Sequence, residues 1–393
     1  MADKSSSLER IGSIEHTPLT KISKERLIVN RHTIGFYPAT NWHAYQKAMA
    51  QALEKNGFEV KVGHEFTDDA LISSQESVVH FHWIERFWEG GTFFEQLKSL
   101  IGVWRFIKKA KRLGKVLVWT VHNHKPHGRV TWADWAGVRL FCFYSDIVAC
   151  HSEWSKNWIE NLVVTKAKVC IVYHGNFNNV FVPVTDNTQL KKKFGIEKGK
   201  ICIGLVGEIR PSRGHELALE AIKNVNNSQL LIAGRCKDEA YLALLYERIN
   251  AYGLSDRVKL VCKNLTDTEF NEYLAAADVS LLPYKDITTS GALLASWTVG
   301  TPVIASRLPY FVEMTKGRGS IGNVFDINSP SSLIGLLKKL SNGYTHEHWV
   351  MLRKRTLDEA NQYDWDRVVL PLVLELKTRV NGLAEDKRNS LNG

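Results

Sequence analysis

The chain has 393 residues, more than one ordinary hydrophobic core accommodates, so its length predicts two domains. With 44% hydrophobic and 23% charged residues it has the composition of a globular protein, and it lacks the run of about 18 apolar residues that a membrane span needs. The six cysteines (Cys142, Cys150, Cys170, Cys202, Cys236, Cys262) have no C-x-x-C spacing and sit mostly in apolar runs. That spacing suggests no zinc site, and reduced core thiols in a cytoplasmic protein are the expectation.

Residues 1–27 are polar and Ser-rich with no apolar signal core, which predicts a disordered tail on a protein that is not secreted. From there short apolar runs alternate with helical patterns. Ile34–Tyr37 reads as a strand and Tyr45–Lys55 as a helix; Val78–Trp83, Val116–His122, Ile147–Cys150 and Val169–Val172 read as further strands. Such runs separated by helices are the mark of buried parallel strands. The net charge of +10 is concentrated: between Lys98 and Arg139 ten basic residues face one acid, Asp134. Within that stretch Phe93–Lys109 mixes aromatics and cations in the manner of a helix lying on an anionic membrane surface. A packed helix with a solvated basic face is the plain alternative, and no nucleic-acid motif accompanies the charge.

The Lys-rich segment Pro183–Lys200 interrupts the pattern and reads as a linker. The series then restarts with Ile201–Val206, Leu230–Ala233, Val258–Val261, Val279–Leu282 and Pro302–Ala305, interleaved with helices at Glu216–Asn224, Ala240–Asn250, Asp267–Ala276 and Leu293–Val299. The fold class is therefore α/β: two doubly wound Rossmann-like domains, at 28–185 and 186–365. Ligands are expected at the carboxyl ends of the strands. A final helix from about 366 is expected to pack back on the first domain. The Ile201–Val206 run ends at Gly207, and a short turn carries Arg210 and Arg213 to a helix start. Free backbone N–H groups, the helix dipole and two guanidinium groups make that turn a candidate anion site; a surface turn with solvated arginines is the alternative.

At the strand ends the residues resemble a known family. Asn41-Trp42-His43-Ala44-Tyr45-Gln46, His80-Phe81-His82-Trp83-Ile84-Glu85, Thr120-Val121-His122-Asn123-His124-Lys125-Pro126-His127, Tyr173-His174-Gly175, Gly207–Gly214, and Ser290–Ala295 with Gly300–Ser306 resemble, in order, motifs of GT-B glycosyltransferases of the family 4 type. The likeness is to bacterial enzymes that build exopolysaccharide or lipid-linked oligosaccharide units. It covers roughly residues 30–380. The resemblance implies transfer of a sugar from a GDP- or UDP-sugar to a polyprenyl-diphosphate-linked acceptor. The enzyme would be peripheral at the inner face of the cytoplasmic membrane, with no metal or other cofactor, and retention would be favoured over inversion. It assigns donor binding to Gly207, Arg210, Arg213, Lys263, Tyr284, Ser290, Gly291, Ala292 and Leu293. His122 would touch the donor sugar, and Asn41, Tyr45, His82 and His127 would bind the acceptor.

Arg210 and Arg213, with the N–H groups of Ser290, Gly291 and Ala292, suit the charge that grows on a departing diphosphate. Glu85 is the candidate general base if configuration inverts. The sequence departs from the family where two glutamates seven residues apart are usual: those positions hold Ile287 and Ala295. A nucleotide-sugar hydrolase or epimerase of the same fold is a second reading, and the departure at Ile287 and Ala295 motivates a third, a non-catalytic nucleotide-sugar-binding module.

Overall fold

The structure, a computed structural model, describes residues 32–38, 44–62, 75–124, 130–162 and 164–391. The tail expected at 1–27, and the candidates Asn41 and His127, lie outside the described residues. The first sheet comprises β1 (Thr33–Tyr37), β2 (Glu59–Val62), β3 (Val78–Phe81), β4 (Val116–Val121), β5 (Ile147–Cys150) and β6 (Lys168–Ile171). Its helices are α1 (Ala44–Lys55), α2 (Phe93–Arg112), α3 (Trp132–Tyr144) and α4 (Glu153–Leu162). The strand order is β2-β1-β3-β4-β5-β6, all parallel. The Pro183–Lys200 segment is not a bare linker: it carries α5 (Thr188–Lys193), which packs on the second domain.

The second sheet comprises β7 (Ile201–Val206), β8 (Ser228–Gly234), β9 (Val258–Cys262), β10 (Val279–Leu282), β11 (Val303–Ser306) and β12 (Gly322–Phe325). With it go α6 (His215–Lys223), α7 (Glu239–Ala251), α8 (Asp267–Ala276), α9 (Gly291–Thr298), α10 (Pro309–Thr315), α11 (Pro330–Gly343) and α12 (His346–Ala360). Its order is β12-β11-β10-β7-β8-β9, again all parallel. The chain then returns to the first sheet: α13 (Trp365–Val368) packs on α1, and α14 (Leu370–Leu391) packs on β4 and β6.

Side-chain alternation along the strands decides the layers. In β4, Val116 and Val118 face one core while Leu117, Trp119 and Val121 face another built with α2 and α3. β1, β3 and β5 repeat the split. The core under α1 continues through Phe177 and Phe181 into Leu293, Leu294 and Trp297 of α9 and through Trp365, Leu372 and Leu376 of the C-terminal helices. The two sheets therefore share one apolar body.

Caps set several helix starts. Thr92 with Glu95, Thr131 with Asp134 and Thr266 with Glu269 form capping boxes that occupy the unpaired N–H groups of α2, α3 and α8. At the second domain's rear, Arg353 of α12 is fully buried and donates to the carbonyls of Val184, Ala275, Ala277 and Val299. Burial lowers its pKa to about 10, and the carboxylates of Asp278 and Asp186 oppose the shift. Replacing Arg353 with alanine removes the guanidinium from four buried carbonyls, of which Val299 still accepts from the Val184 N–H; each carbonyl left without a donor costs about 1–3 kcal/mol. Urea unfolding of R353A is expected to show a loss of about 3 kcal/mol or more; a loss under about 1 kcal/mol would mean water replaces the guanidinium.

Candidate active site

The same alternation that builds the cores sets a row of histidines. His80 and His82 follow Val78 on one face of β3; His122 follows Val116, Val118 and Thr120; His151 follows Ile147 and Ala149; His174 follows Cys170 and Val172. All five reach the carboxyl ends of adjacent strands on the α1 side, and Tyr45 of α1 lies over them. Its ring centroid is 4.8 Å from His122, 5.4 Å from His151 and 5.1 Å from His174. His82 Nδ1 lies 3.0 Å from His122 Nε2, His80 Nε2 lies 2.7 Å from Thr120 Oγ1, and His151 Nδ1 donates to the Val172 carbonyl at 2.7 Å. Trp83 takes a left-handed backbone conformation (φ 43°), rare for a bulky residue, and its indole stacks on His122 at 4.3 Å.

Burial lowers the pKa of four of these imidazoles, His80 to about 3 and His151 to about 4, with His82 and His122 well below the ordinary value. Around His122, neighbouring imidazoles add to the effect. The row is thus a neutral, polar floor. Among the described residues no group of three or more His, Cys, Asp or Glu is arranged to hold a metal ion.

Tyr45 and His82, expected to bind the acceptor, are 2% and 0% exposed. They pack against His122, itself only 5% exposed, and do not offer a binding surface: His82 is buried by the strand alternation and Tyr45 by the packing of α1 on the row. Glu85 sits in a 3-10 turn (Ile84–Phe87) after β3, and its Oε1 accepts from Asn123 Nδ2 at 2.6 Å. Burial raises its pKa, outweighing that hydrogen bond. His124 is held away from chemistry, stacked on Trp158 and within 2.9 Å of Ser155 Oγ, while its N–H donates to Thr288 Oγ1 of the second domain.

Across from the histidines, β7 runs into Gly207 and the turn that carries Arg210 and Arg213. Gly214 (φ 70°) then opens α6, and a Cβ there would lie 2.1 Å from the Pro283 carbonyl oxygen. This close approach of two backbones brings the β7 turn beside the β10 end, where the Arg213 guanidinium lies 4.0 Å over the Tyr284 ring. A cavity of about 350 Å³ opens here; Gly207, Glu208, Arg213, His215, Tyr284, Gly291, Ala292 and Ala295 contribute to its wall. Arg210 lies outside that wall, 3.6 Å from Glu208. Ser290 caps α9, its Oγ accepting from the Leu293 N–H, which leaves the N–H groups of Gly291 and Ala292 as the unpaired donors of that helix start.

Two donor-site expectations are corrected by this geometry. Leu293 is fully buried in the shared core and its N–H is already taken by Ser290. Lys263 points to the surface, paired with Glu269 across one turn, and is not part of the cavity wall. Gly291 has a further reason to lack a side chain: a Cβ there would stand 3.3 Å from His174 Nε2, so the histidine row of one domain meets the α9 start of the other. Ile287 is buried in the core, whereas Ala295 lines the cavity.

Sequence reasoning did not single out His151, although its place two residues past Ala149 in an alternating strand is a readable signal. It also missed Asp267, Phe177, Phe181 and Phe270 of the cavity wall, because surfaces assembled from α8 and the interdomain segment have no local pattern. Glu313 of α10 accepts from the N–H groups of Glu153 and Trp154 at 2.8 and 3.0 Å, capping α4 of the first domain from the second.

Two parallel, doubly wound sheets, with the starts of α6 and α9 meeting at a cavity on one of them, have the architecture of the GT-B glycosyltransferase fold. Solved structures agree. A likeness to Anabaena HepE, crystallised with UDP and glucose, has a TM-score of 0.68 at 14% identity over 88% of this chain and all of that one. WaaG, a glycosyltransferase involved in lipopolysaccharide biosynthesis, gives 0.59 at 16% over 87% of this chain and 98% of that one. More particularly, residues 186–356 match the model of the family of glycosyl transferases group 1.

Among curated relatives, a lipopolysaccharide core biosynthesis mannosyltransferase of Rhizobium meliloti is 24% identical over 42% of this chain and 52% of its own. A GDP-mannose:glycolipid 4-beta-D-mannosyltransferase of Xanthomonas campestris pv. campestris is 23% identical over 60% of this chain and 63% of its own. The alignments thus span about half to two thirds of these relatives.

The neutral histidines make a pH prediction. Unfolded, they titrate near 6.5; folded, His80 and His151 refuse the proton until about pH 3 and 4. Between those values the unfolded chain binds more protons, so their contribution is intact above about pH 6.5 and is lost as pH falls. Denaturant unfolding at pH 7 and pH 5 is expected to show stability falling by about 2 kcal/mol for each histidine that stays neutral. A flat profile would contradict a buried, uncharged row.

Proposed function

We propose that the protein is a glycosyltransferase moving a sugar from a GDP- or UDP-sugar to a lipid-linked oligosaccharide at the cytoplasmic face of the membrane, without a metal ion. The observation that carries this reading is Arg213, braced on Tyr284 at the mouth of a cavity that also receives the starts of α6 and α9. A diphosphate there meets one guanidinium and two sets of free N–H groups. The sugar then projects toward Gly291, His174 and the His122 row. Because His122 is neutral, it acts as a hydrogen-bonding group for a sugar hydroxyl and leaves charge stabilisation to Arg213 and the helix starts, with Arg210 adding to the local field.

In the step itself, the bond from sugar C1 to the diphosphate oxygen breaks and a bond from C1 to the acceptor oxygen forms. With retention, the acceptor proton goes to the departing phosphate, and no protein base is required. Inversion is the second reading, favoured by Glu85: its burial-raised pKa and its hydrogen bond to Asn123 suit a carboxylate that takes that proton. The mannosyl relatives support a hexose donor. Replacing Arg213 or His122 with alanine is expected to lower kcat/KM for transfer at least about a hundredfold, the scale of one lost transition-state donor. Anomeric analysis of the product separates the two readings, and E85Q should abolish transfer only in an inverting enzyme. Unchanged transfer in both R213A and H122A would reject the site.

The membrane part of the reading rests on α2. Phe93, Phe94, Leu97, Ile101 and Trp104 are exposed along it, beside Lys98, Arg105 and Lys108, and Trp132, Trp135 and Phe143 of α3 extend the apolar area. No helix among the described residues is long and apolar enough to cross a membrane. Aromatics and cations together bind an anionic interface by insertion and by charge. The protein is expected to sediment with vesicles containing phosphatidylglycerol and to be released by about 0.5 M salt, with F94S/W104S weakening binding severalfold. Equal recovery with neutral vesicles would remove the anionic surface from the reading.

A further inference from the structure

The second sheet carries another cavity, at the end away from the first. Ile201 opens β7 and Asp278 precedes β10, and both line this second cavity; Val206 and Leu282, which close the same two strands, line the first. It holds about 860 Å³, against about 350 Å³ for the first, and its wall comes from the α5 segment, α11 and α12. Ile196, Ile201 and Leu340 supply a buried apolar part, and the partly buried rings of Tyr344 and Trp349, 5.0 Å apart, supply an aromatic one. The charges of the wall do not balance. Asp278 pairs with Lys191 at 2.6 Å and Glu197 with Lys200 at 2.7 Å, which uses both wall carboxylates. Lys192 and Lys198, exposed, and Arg353, buried among carbonyls, also line the cavity and form no ion pair among the described residues. Asp186, between the wall residues Thr185 and Asn187, accepts from the Thr188 N–H and hydroxyl and lies 3.8 Å from His346.

We propose that this second cavity binds an organic phosphate with a planar apolar body, the phosphate at Lys192 and Lys198 and the body against Tyr344 and Trp349. The selection follows from what the wall lacks. Two lysines with no carboxylate partner gain charge-assisted hydrogen bonds from a phosphate dianion. The buried charge of Arg353 adds to that attraction, because salt screens it less than it screens the exposed lysines. Inorganic phosphate satisfies the lysines and leaves the apolar wall wet. A neutral aromatic molecule covers that wall and leaves the lysines without an anion. A planar body gains more than a flexible chain, since flat rings pack face or edge against Trp349 and Tyr344 and lose little freedom in doing so. A volume of this size lies within the range of small-molecule sites. The two cavities share no residue, so occupancy here is separate from binding at Arg213.

The test is calorimetric titration of the full chain with 1-naphthyl phosphate, hexyl phosphate, inorganic phosphate and 1-naphthol. The naphthyl phosphate is expected to bind at least about tenfold more tightly than inorganic phosphate or naphthol, and more tightly than hexyl phosphate. K192Q/K198Q should lose about fivefold in that affinity, the scale of two exposed charge pairs, with melting temperature unchanged. W349L, which keeps an apolar side chain, should lose severalfold, and R213A, in the first cavity, should lose nothing. The wild-type comparison of the four probes requires no variant, so it stands even if W349L folds poorly. Naphthyl phosphate binding no more tightly than inorganic phosphate, or an affinity indifferent to K192Q/K198Q, would overturn the site. Hexyl phosphate matching naphthyl phosphate would overturn the planar body, and an affinity lost in R213A would place the probe in the first cavity and overturn the assignment.

Discussion

Parallel strands buried on both faces are the constraint on which the rest depends. Each strand in the first sheet spends its length on two apolar cores, Val116 and Val118 toward one and Leu117 and Trp119 toward the other. A polar side chain is tolerated only where the strand runs out, and there the alternation still dictates its direction. His80, His82, His122, His151 and His174 are therefore placed by the same rule that places the valines before them. The floor is polar and close-packed, and His80, His82, His122 and His151 stay uncharged because desolvation outweighs any gain from protonation.

The second sheet solves a different problem with the same architecture. Its β7 turn brings Gly214 against the Pro283 carbonyl, so that Arg213 rides on Tyr284. The α9 start points at the same space. One side of the cleft thus carries Arg213 and the helix-start N–H groups, and the other carries the buried histidine row. In the function proposed above, that contrast is what a molecule with a diphosphate at one end and a sugar at the other would meet.

The two halves are held in register by polar contacts at the cleft and by a shared core behind it. Glu313 caps α4 from the opposite domain, the His124 N–H reaches Thr288, and His174 stands against Gly291. Behind them the Trp365 indole donates to the Asn176 carbonyl, and Asn176 in turn donates to Ala360 and Tyr363 carbonyls. A chain that leaves the second domain and closes on the first joins the segments on which any cleft movement turns.

The sequence by itself determined the alternation of strands and helices, the two-sheet architecture, and the strand–turn–helix at Gly207–Gly214. These are local: a period of two, a period of 3.6 and a turn's glycine are all written within about a dozen residues. The tertiary structure alone decided which polar residues face the cleft. Tyr45 and His82 look like binding residues in sequence and are buried supports, Leu293 is core, and Lys263 is bound to Glu269 at the surface. Asp267 and the phenylalanine wall became visible only when α8 and the interdomain segment met over β7. Exposure and partnership depend on elements distant in the chain, so no local pattern records them.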